Sequence, residues 1–406
     1  MNRLVLIGNG FDLAHGLKTS YADFISWYWQ QRIEKLASED HRTSDDGLCS
    51  FEMKVQAVWG HLLSFTNKET KAEDAIRYME NQGWCSIHKH SLLDRITTSI
   101  ETKGWVDIEN EYYELLKLCA FPHPGIYVQE PSIEALNKQL RKLQELLVEY
   151  LTEVYSKKPN KIENIETAIY SPLVKEDMSI AGIKEWEEHL SYWKETTIKN
   201  DGPIEEKIDK FGWDYGRSMR RINIWKKAPK LSTIPEAFYL PNDIMFLNFN
   251  YTDTVQLYIQ PQYRNQGNHI HGEISNPNSI IFGYGDELDD KFKELKAHKN
   301  NACLSNVKSI RYLEAPNYRK VLSFIESEPF QVLIMGHSCG NSDRTLLNTI
   351  FEHKNCVSIK PYYYQKEDGT DNYIEIVQNI SRNFTDMKLM RDRVVNKTQC
   401  EPLVHD

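Results

Sequence analysis

A chain of 406 residues with 40% hydrophobic and 26% charged residues can bury a large core and reads as two structural units of an ordinary globular protein. Its formal net charge of −9 argues against broad electrostatic capture of nucleic acid or anionic membrane, and no apolar run approaches the roughly 18 residues of a membrane span. The seven cysteines are scattered, odd in number and contain no Cys-x-x-Cys, which points to reduced thiols and speaks against a structural zinc. With an opening too short for a secretory h-region, the sequence reads as cytoplasmic.

The first element sets the frame. Leu4–Ile7 is an unbroken aliphatic run, the pattern of a strand buried on both faces in a parallel sheet. Gly8 and Gly10 follow at once, with Asn9, Phe11 and Asp12 around them. Glycines at a strand-to-helix turn allow close backbone approach, and the N–H groups of such a turn suit a phosphate. The turn is not the dinucleotide fingerprint, because Leu13 stands where a third glycine belongs. Tyr21 to Leu36 then carries apolar residues at helical spacing, and residues 37–47 are small and polar, a loop or disordered stretch.

From Phe51 to about Asn200 the signals read as helical: a stripe at Val55, Val58, Trp59, Leu62 and Leu63, another at Ile108, Tyr112, Leu115 and Leu116, and the longest from Leu136 to Val154. Acids at Glu109 and Glu111 sit at a helix start, where they ordinarily favour the dipole. A basic run from Arg217 to Lys230, interleaved with Trp213, Tyr215 and Trp225, reads as a solvated face. Strand character returns at Asp243–Asn250, then at His269–His271, Ser279–Phe282, Gln331–Met335 and Val357–Ile359. Helical segments at Thr254–Ile259, Asp289–His298, Ala315–Glu326, Asp343–His353 and Tyr373–Phe384 separate most of them or follow. Such alternation predicts an α/β fold with a doubly wound, mostly parallel sheet into which Leu4–Ile7 pairs from far away.

Polar clusters stand at the carboxyl ends of these strands, where open α/β sheets bind ligands. They are Gly8–Asp12, Asn248–Asp253, His269–Glu273, Phe282–Asp286 and Gly336–Asp343. One such cluster would be a turn; several at one edge point to a site.

The motifs of residues 4–24, Gly104–Glu109, Phe249–Thr252, His269–Gly272 and Gly336–Ser338 resemble, in order, the AbiH family of bacteriophage abortive-infection proteins. More distantly, their order resembles the sirtuin-like (Rossmann-like) fold of NAD-consuming defence effectors. Gly8–Gly10, Asn250, His271-Gly272, Phe282-Gly283 and Gly336–Ser338 fall on its motifs. That resemblance implies NAD as substrate and His271 as the catalytic histidine. Asn250 would hold a ribose hydroxyl or the attacking water. A nucleotide site would form from Gly8, Asn9, Gly10, Phe11, Asp12, Thr252, Asp253, Gly283, Gly336, His337 and Ser338. Thr252 stands where the sirtuin-like pattern has Asp, with Asp253 one residue later. The zinc-ribbon cysteines of deacetylating sirtuins are absent, which speaks against protein deacetylation.

The expected organisation is a first βα unit at 1–36, an all-helical insertion at 37–240, the remaining α/β domain at 241–390 and a tail at 391–406. The expected function is an antiphage effector that hydrolyses NAD on infection, sensing an unknown phage-derived trigger, with no metal, no membrane and a homo-oligomer in view. A non-catalytic nucleotide sensor and a metal-dependent nuclease are the alternatives.

Overall fold

The computed structural model describes residues 1–38, 43–55, 72–122, 132–185, 187–188, 240–260 and 263–404. The described chain divides into two compact units: Met1–Gly16, Lys158–Glu273 and Tyr312–Asp406 in one, Leu17–Lys157 and Ile274–Arg311 in the other.

The first unit is built on a five-stranded sheet of β1 (Asn2–Ile7), β5 (Ile244–Asn248), β6 (Asn265–His269), β7 (Phe330–Met335) and β8 (Cys356–Tyr362) in the order β6-β5-β1-β7-β8. Every ladder in it is parallel. Every residue of β1, β5 and β7 is buried, which is why each carries a run of consecutive apolar residues (Leu4–Ile7, Ile244–Leu247, Val332–Met335) rather than an alternating pattern. The register sets His269, Asn248, Ile7, Met335 and Tyr362 in one row across the sheet. Whatever follows these residues therefore gathers along a single carboxyl edge. The strand order reverses between β1 and β7, the place where such sheets open a ligand crevice.

One sheet face carries Val5, Ile7, Phe246, Leu333 and Met335, packed with Ile165 and Ile169 of a helix at Glu163–Tyr170 and with Val255 and Tyr258 of a 3₁₀ turn. A helix at Asn317–Ser327 lies against β6, while helices at Arg344–Phe351, Tyr373–Arg382 and Met387–Arg393 lie against β8. At the amino end of the strands, fully buried Arg3 donates to Ile169 O (2.8 Å), Ser171 O (2.7 Å) and Gln331 Oε1 (2.9 Å). It thereby satisfies carbonyls at the end of the helix Glu163–Tyr170 and ties β1 to β7. Burial lowers the Arg3 pKa to about 10.

The second unit contains helices α2 (Tyr21–Ser38), α3 (Ala72–Asn81), α4 (Ser91–Lys103), α5 (Ile108–Ala120) and α6 (Ile133–Tyr155), numbered after a short α1 (Asn9–Ala14) in the first unit. It also holds a three-stranded antiparallel sheet of β2 (Thr43–Asp45), β3 (Cys49–Met53) and β4 (Cys85–Lys89). The expected all-helical insertion is corrected on this point. β3 does alternate, with Cys49, Phe51 and Met53 buried and Glu52 exposed, but over too few residues to stand out beside a longer helical stripe. Residues 43–45, expected in a loop, form its edge strand. The stretch Ser279–Phe282, expected as a strand, joins no ladder; only Tyr284 makes an isolated bridge, to Val307. The stripe residues Val58 to Leu63 and the basic run Arg217–Lys230 lie outside the described residues.

Candidate functional site

Glycine at the β1 turn is demanded by backbone contact. A Cβ on Gly8 would lie 2.4 Å from His337 Cα, and one on Gly336 would lie 2.0 Å from Phe11 N. Gly336 also has φ +74°, a region costly for any side chain. The turns after β1 and β7 thus touch across the reversal point. Gly8 N–H donates to Met335 O (3.2 Å), Gly10 N–H to Gly336 O (2.8 Å) and Phe11 N–H to Gly8 O (2.9 Å). These donors, expected to cradle a phosphate, are engaged by protein carbonyls.

Beside this turn lies a carboxyl group. Asp12 is almost fully buried, accepts from the Thr252 hydroxyl through Oδ2, and its Oδ1 has no hydrogen-bond partner. Burial raises its pKa above the ordinary carboxylate value, with Thr252, Thr254 and Asn250 opposing. Asn250 Nδ2 donates to Gly8 O (3.0 Å), and its own N–H is held by Asn248 Oδ1 (3.0 Å). Asn248 Nδ2 donates to Thr252 O (2.9 Å) and to His269 Nδ1 (3.2 Å), while His269 Nε2 faces Asp253 Oδ1 at 3.1 Å. Asn250, Thr252 and Asp253 are therefore all tied into the strand-end network.

The centre of the edge is a histidine pair bridged by one carboxylate. His271 lies just past β6, before a left-handed Gly272 with φ +81°. Its Nε2 stands 3.1 Å from Asp343 Oδ1 and 3.2 Å from the Tyr312 hydroxyl. His337 Nε2 is 3.6 Å from Asp343 Oδ2, and its Nδ1 accepts the Cys339 N–H at 2.9 Å. All three charged or chargeable residues are buried, with His271 3% and Asp343 7% exposed. The Phe249 ring packs 4.1 Å from that of His337 and 5.3 Å from that of His271. Cys339 has φ +54°, rare for a non-glycine, and Asn383 Nδ2 holds its carbonyl at 2.9 Å. Ser338 O accepts from Asn379 Nδ2 (2.8 Å).

The structure thus brings Gly8–Asp12, Asn250–Asp253, His271 and Gly336–Ser338 into one unit at one edge. Tyr312 was missed by the sequence reading, and Asp343 entered it as the last residue of the Gly336–Asp343 cluster, with no role of its own. Asp343 stands at the N-cap of helix Arg344–Phe351 yet makes no side-chain capping bond. From sequence it reads as a cap, and nothing there pairs it with His271.

Gly283 belongs to the second unit. Its N–H donates to Glu109 Oε1 (2.9 Å), and a Cβ there would lie 1.9 Å from Asn306 O. Glu109 Oε2 meets the fully buried Lys308 Nζ at 2.7 Å. Glu111 pairs with Arg95 (2.9 Å) and accepts from Ser99 (2.6 Å). Each acid of α5 thus has its own partners. Among the described residues no three His, Cys, Asp or Glu side chains are placed to hold a metal ion. A groove of about 400 Å³ runs over the small sheet between Thr43–Asp45 and Ser86–His88.

Fold and site together define an α/β protein with a buried histidine–carboxylate cluster at the carboxyl edge of a parallel sheet. Residues 4–364 match the family model described as bacteriophage abortive infection AbiH, and the chain belongs to that family. Membership carries an antiphage, abortive-infection role. No curated protein and no solved structure matches the chain. Among the described residues no helix is long and apolar enough to cross a membrane.

Proposed function

We propose that the protein hydrolyses NAD at the nicotinamide–ribose bond, and that loss of NAD is how it aborts infection. The observation that carries this reading is the buried His271–Asp343 pair at the carboxyl edge, 3.1 Å apart, next to the strand-end network of Asn250 and Asp12. Bond cleavage passes through a cation-like sugar, so the enzyme must orient the ring, support the charge and supply a base that works near neutral pH. Histidine is the side chain suited to that work. Water adds to the ribose carbon, its proton goes to His271, and neutral nicotinamide leaves with the bonding electron pair.

Asn250 would orient ribose or the attacking water from the neighbouring strand end, and the edge residues Gly8–Asp12, Thr252, Asp253 and Gly336–Ser338 would hold the nucleotide. The Gly8 and Gly10 donors are already bonded, so the phosphates would lie over this turn and compete with its carbonyl partners. Asp12 is a buried carboxyl with one unpartnered oxygen at the same edge, its pKa raised by burial. The test is incubation of purified protein with NAD, following free nicotinamide by chromatography. Release that disappears in His271→Ala supports the reading. Tight NAD binding without release, with phage protection intact in His271→Ala, replaces it with a nucleotide-sensing module.

A further inference from the structure

We infer that Asp12 is a positioning residue for Asn250: from the buried side of the β5 loop it holds the Asn250 amide nitrogen inward, so that the amide oxygen is what the nucleotide meets. The argument starts from which atoms can donate. The Gly8 carbonyl only accepts, so the Asn250 atom 3.0 Å from it is the nitrogen Nδ2, carrying both amide protons. Oδ1 then lies on the opposite side of the amide, and among the described residues it has no hydrogen-bond partner. Asn250 is half-buried, whereas Asn248, Thr252 and Thr254 around it are buried.

The Asn250 amide also has an acidic neighbour. Asp12 is 1% exposed, and alternate residues of the loop, Asn250, Thr252 and Thr254, turn their side chains toward its carboxyl. Thr252 donates to Oδ2, whereas Oδ1 receives no full hydrogen bond. An acceptor short of donors favours an N–H brought near it. Asn250 does hold the Asp12 pKa down, as a donor does and an oxygen would not. The backbone is fixed separately: Asn248 Oδ1 accepts the Asn250 N–H at 3.0 Å, and Asn248 Nδ2 donates to Thr252 O at 2.9 Å. The loop thus sets where Asn250 stands, and Asp12 with the Gly8 carbonyl sets which way its amide faces.

An outward oxygen can only accept. It suits a ribose hydroxyl or the attacking water and is wrong for an ionised phosphate, whose oxygens also accept. Asn250 therefore marks the reacting end of the dinucleotide rather than its pyrophosphate. That consequence rests on the NAD reading; the amide orientation does not.

The experiment is side-chain amide exchange on full-length protein with ¹⁵N-asparagine, the Asn250 pair being the signal lost in Asn250→Ala. The expected wild-type result is slow exchange of both amide protons, because Nδ2 points inward. Asp12→Leu, which keeps the bulk and removes the acceptor, should speed that exchange by about tenfold, the weight of one contact to a charged acceptor. Rapid exchange in the wild type, or exchange indifferent to Asp12→Leu, overturns the inference. If that variant does not fold, the wild type is titrated with acid instead. Burial raises the Asp12 pKa, so its carboxyl signal, assigned with Asp12→Asn, moves before those of ordinary aspartates. The Asn250 amide signal should move with it; one that stays still overturns the inference.

In turnover, Asn250→Ala should lower kcat for nicotinamide release by about 10²-fold and Asp12→Leu by about tenfold, each with little change in KM. Added to Asn250→Ala, Asp12→Leu should cost kcat nothing further, because its effect passes through the missing amide. A full second loss in the double variant overturns the inference by making Asp12 merely structural. If the wild type releases no nicotinamide, the NAD reading fails while the amide orientation still stands or falls on the exchange measurement.

Discussion

Three glycines separate two physical costs that are usually measured together. Gly16 and Gly336 share a left-handed backbone, at φ +76° and +74°, but a Cβ on Gly16 would meet nothing within 4 Å, whereas one on Gly336 would sit 2.0 Å from Phe11 N and 2.5 Å from Gly10 C. Gly8 has extended backbone, φ −126°, so alanine there carries only the contact cost, with His337 Cα at 2.4 Å. Gly16→Ala should then cost about 1 kcal/mol, the conformational penalty alone. Gly8→Ala should cost about 1 to 3 kcal/mol from overpacking. Gly336→Ala combines both and loses the Gly10 N–H bond to Gly336 O, for a total of about 3 to 5 kcal/mol. Equilibrium urea unfolding gives these values from midpoint shifts at unchanged slope. Equal losses at Gly16 and Gly336 would refute the claim that the β1 and β7 turns touch.

Other expectations test separate parts of the molecule. His15 Nδ1 lies 2.7 Å from Phe11 O and its Nε2 2.6 Å from the Tyr258 hydroxyl, and burial lowers its pKa. Its contribution to stability is therefore complete above the unfolded histidine pKa of about 6.5 and is lost as pH falls from there through the depressed folded value. Thermal melting from pH 7.5 to 5 should fall less steeply in His15→Gln than in the wild type; parallel slopes would contradict this. Lys308→Met leaves Glu109 buried and uncompensated and should cost about 3 to 5 kcal/mol, while adding Glu109→Leu should recover a large part of it, measured as a double-mutant cycle. Arg3→Ala should cost about 3 kcal/mol in denaturant unfolding by stranding Gln331 and the carbonyls of Ile169 and Ser171. Nicotinamide release should be unaffected by a chelator. Activity lost to it and restored by magnesium or manganese would favour the nuclease alternative.

The strands legible in the sequence were those buried on both faces. β1, β5 and β7 carry uninterrupted apolar runs, and the structure places them side by side at the sheet centre. β6, Asn-Gln-Gly-Asn-His at the sheet edge, has no such run, so its reading slipped to His269–His271. The small sheet was hidden because strands of three to five residues carry too few periods to compete with helical stripes. The site was half legible. His271 and His337 announce themselves in glycine-flanked motifs, and Asn250, Thr252 and Asp253 follow β5 directly. Asp343 could not be paired with them, because its place beside both imidazoles depends on β6 and β7 folding to either side of β1. Lys308 is the same case: a lysine reads as surface until tertiary structure brings Glu109 against it.

The most direct test of the account is the NAD content of cells carrying the wild-type protein or His271→Ala, measured through phage infection. The account predicts a fall in NAD with the wild type that coincides with arrested phage growth, and neither with His271→Ala expressed at the same level. Arrested phage growth at undiminished NAD would contradict it.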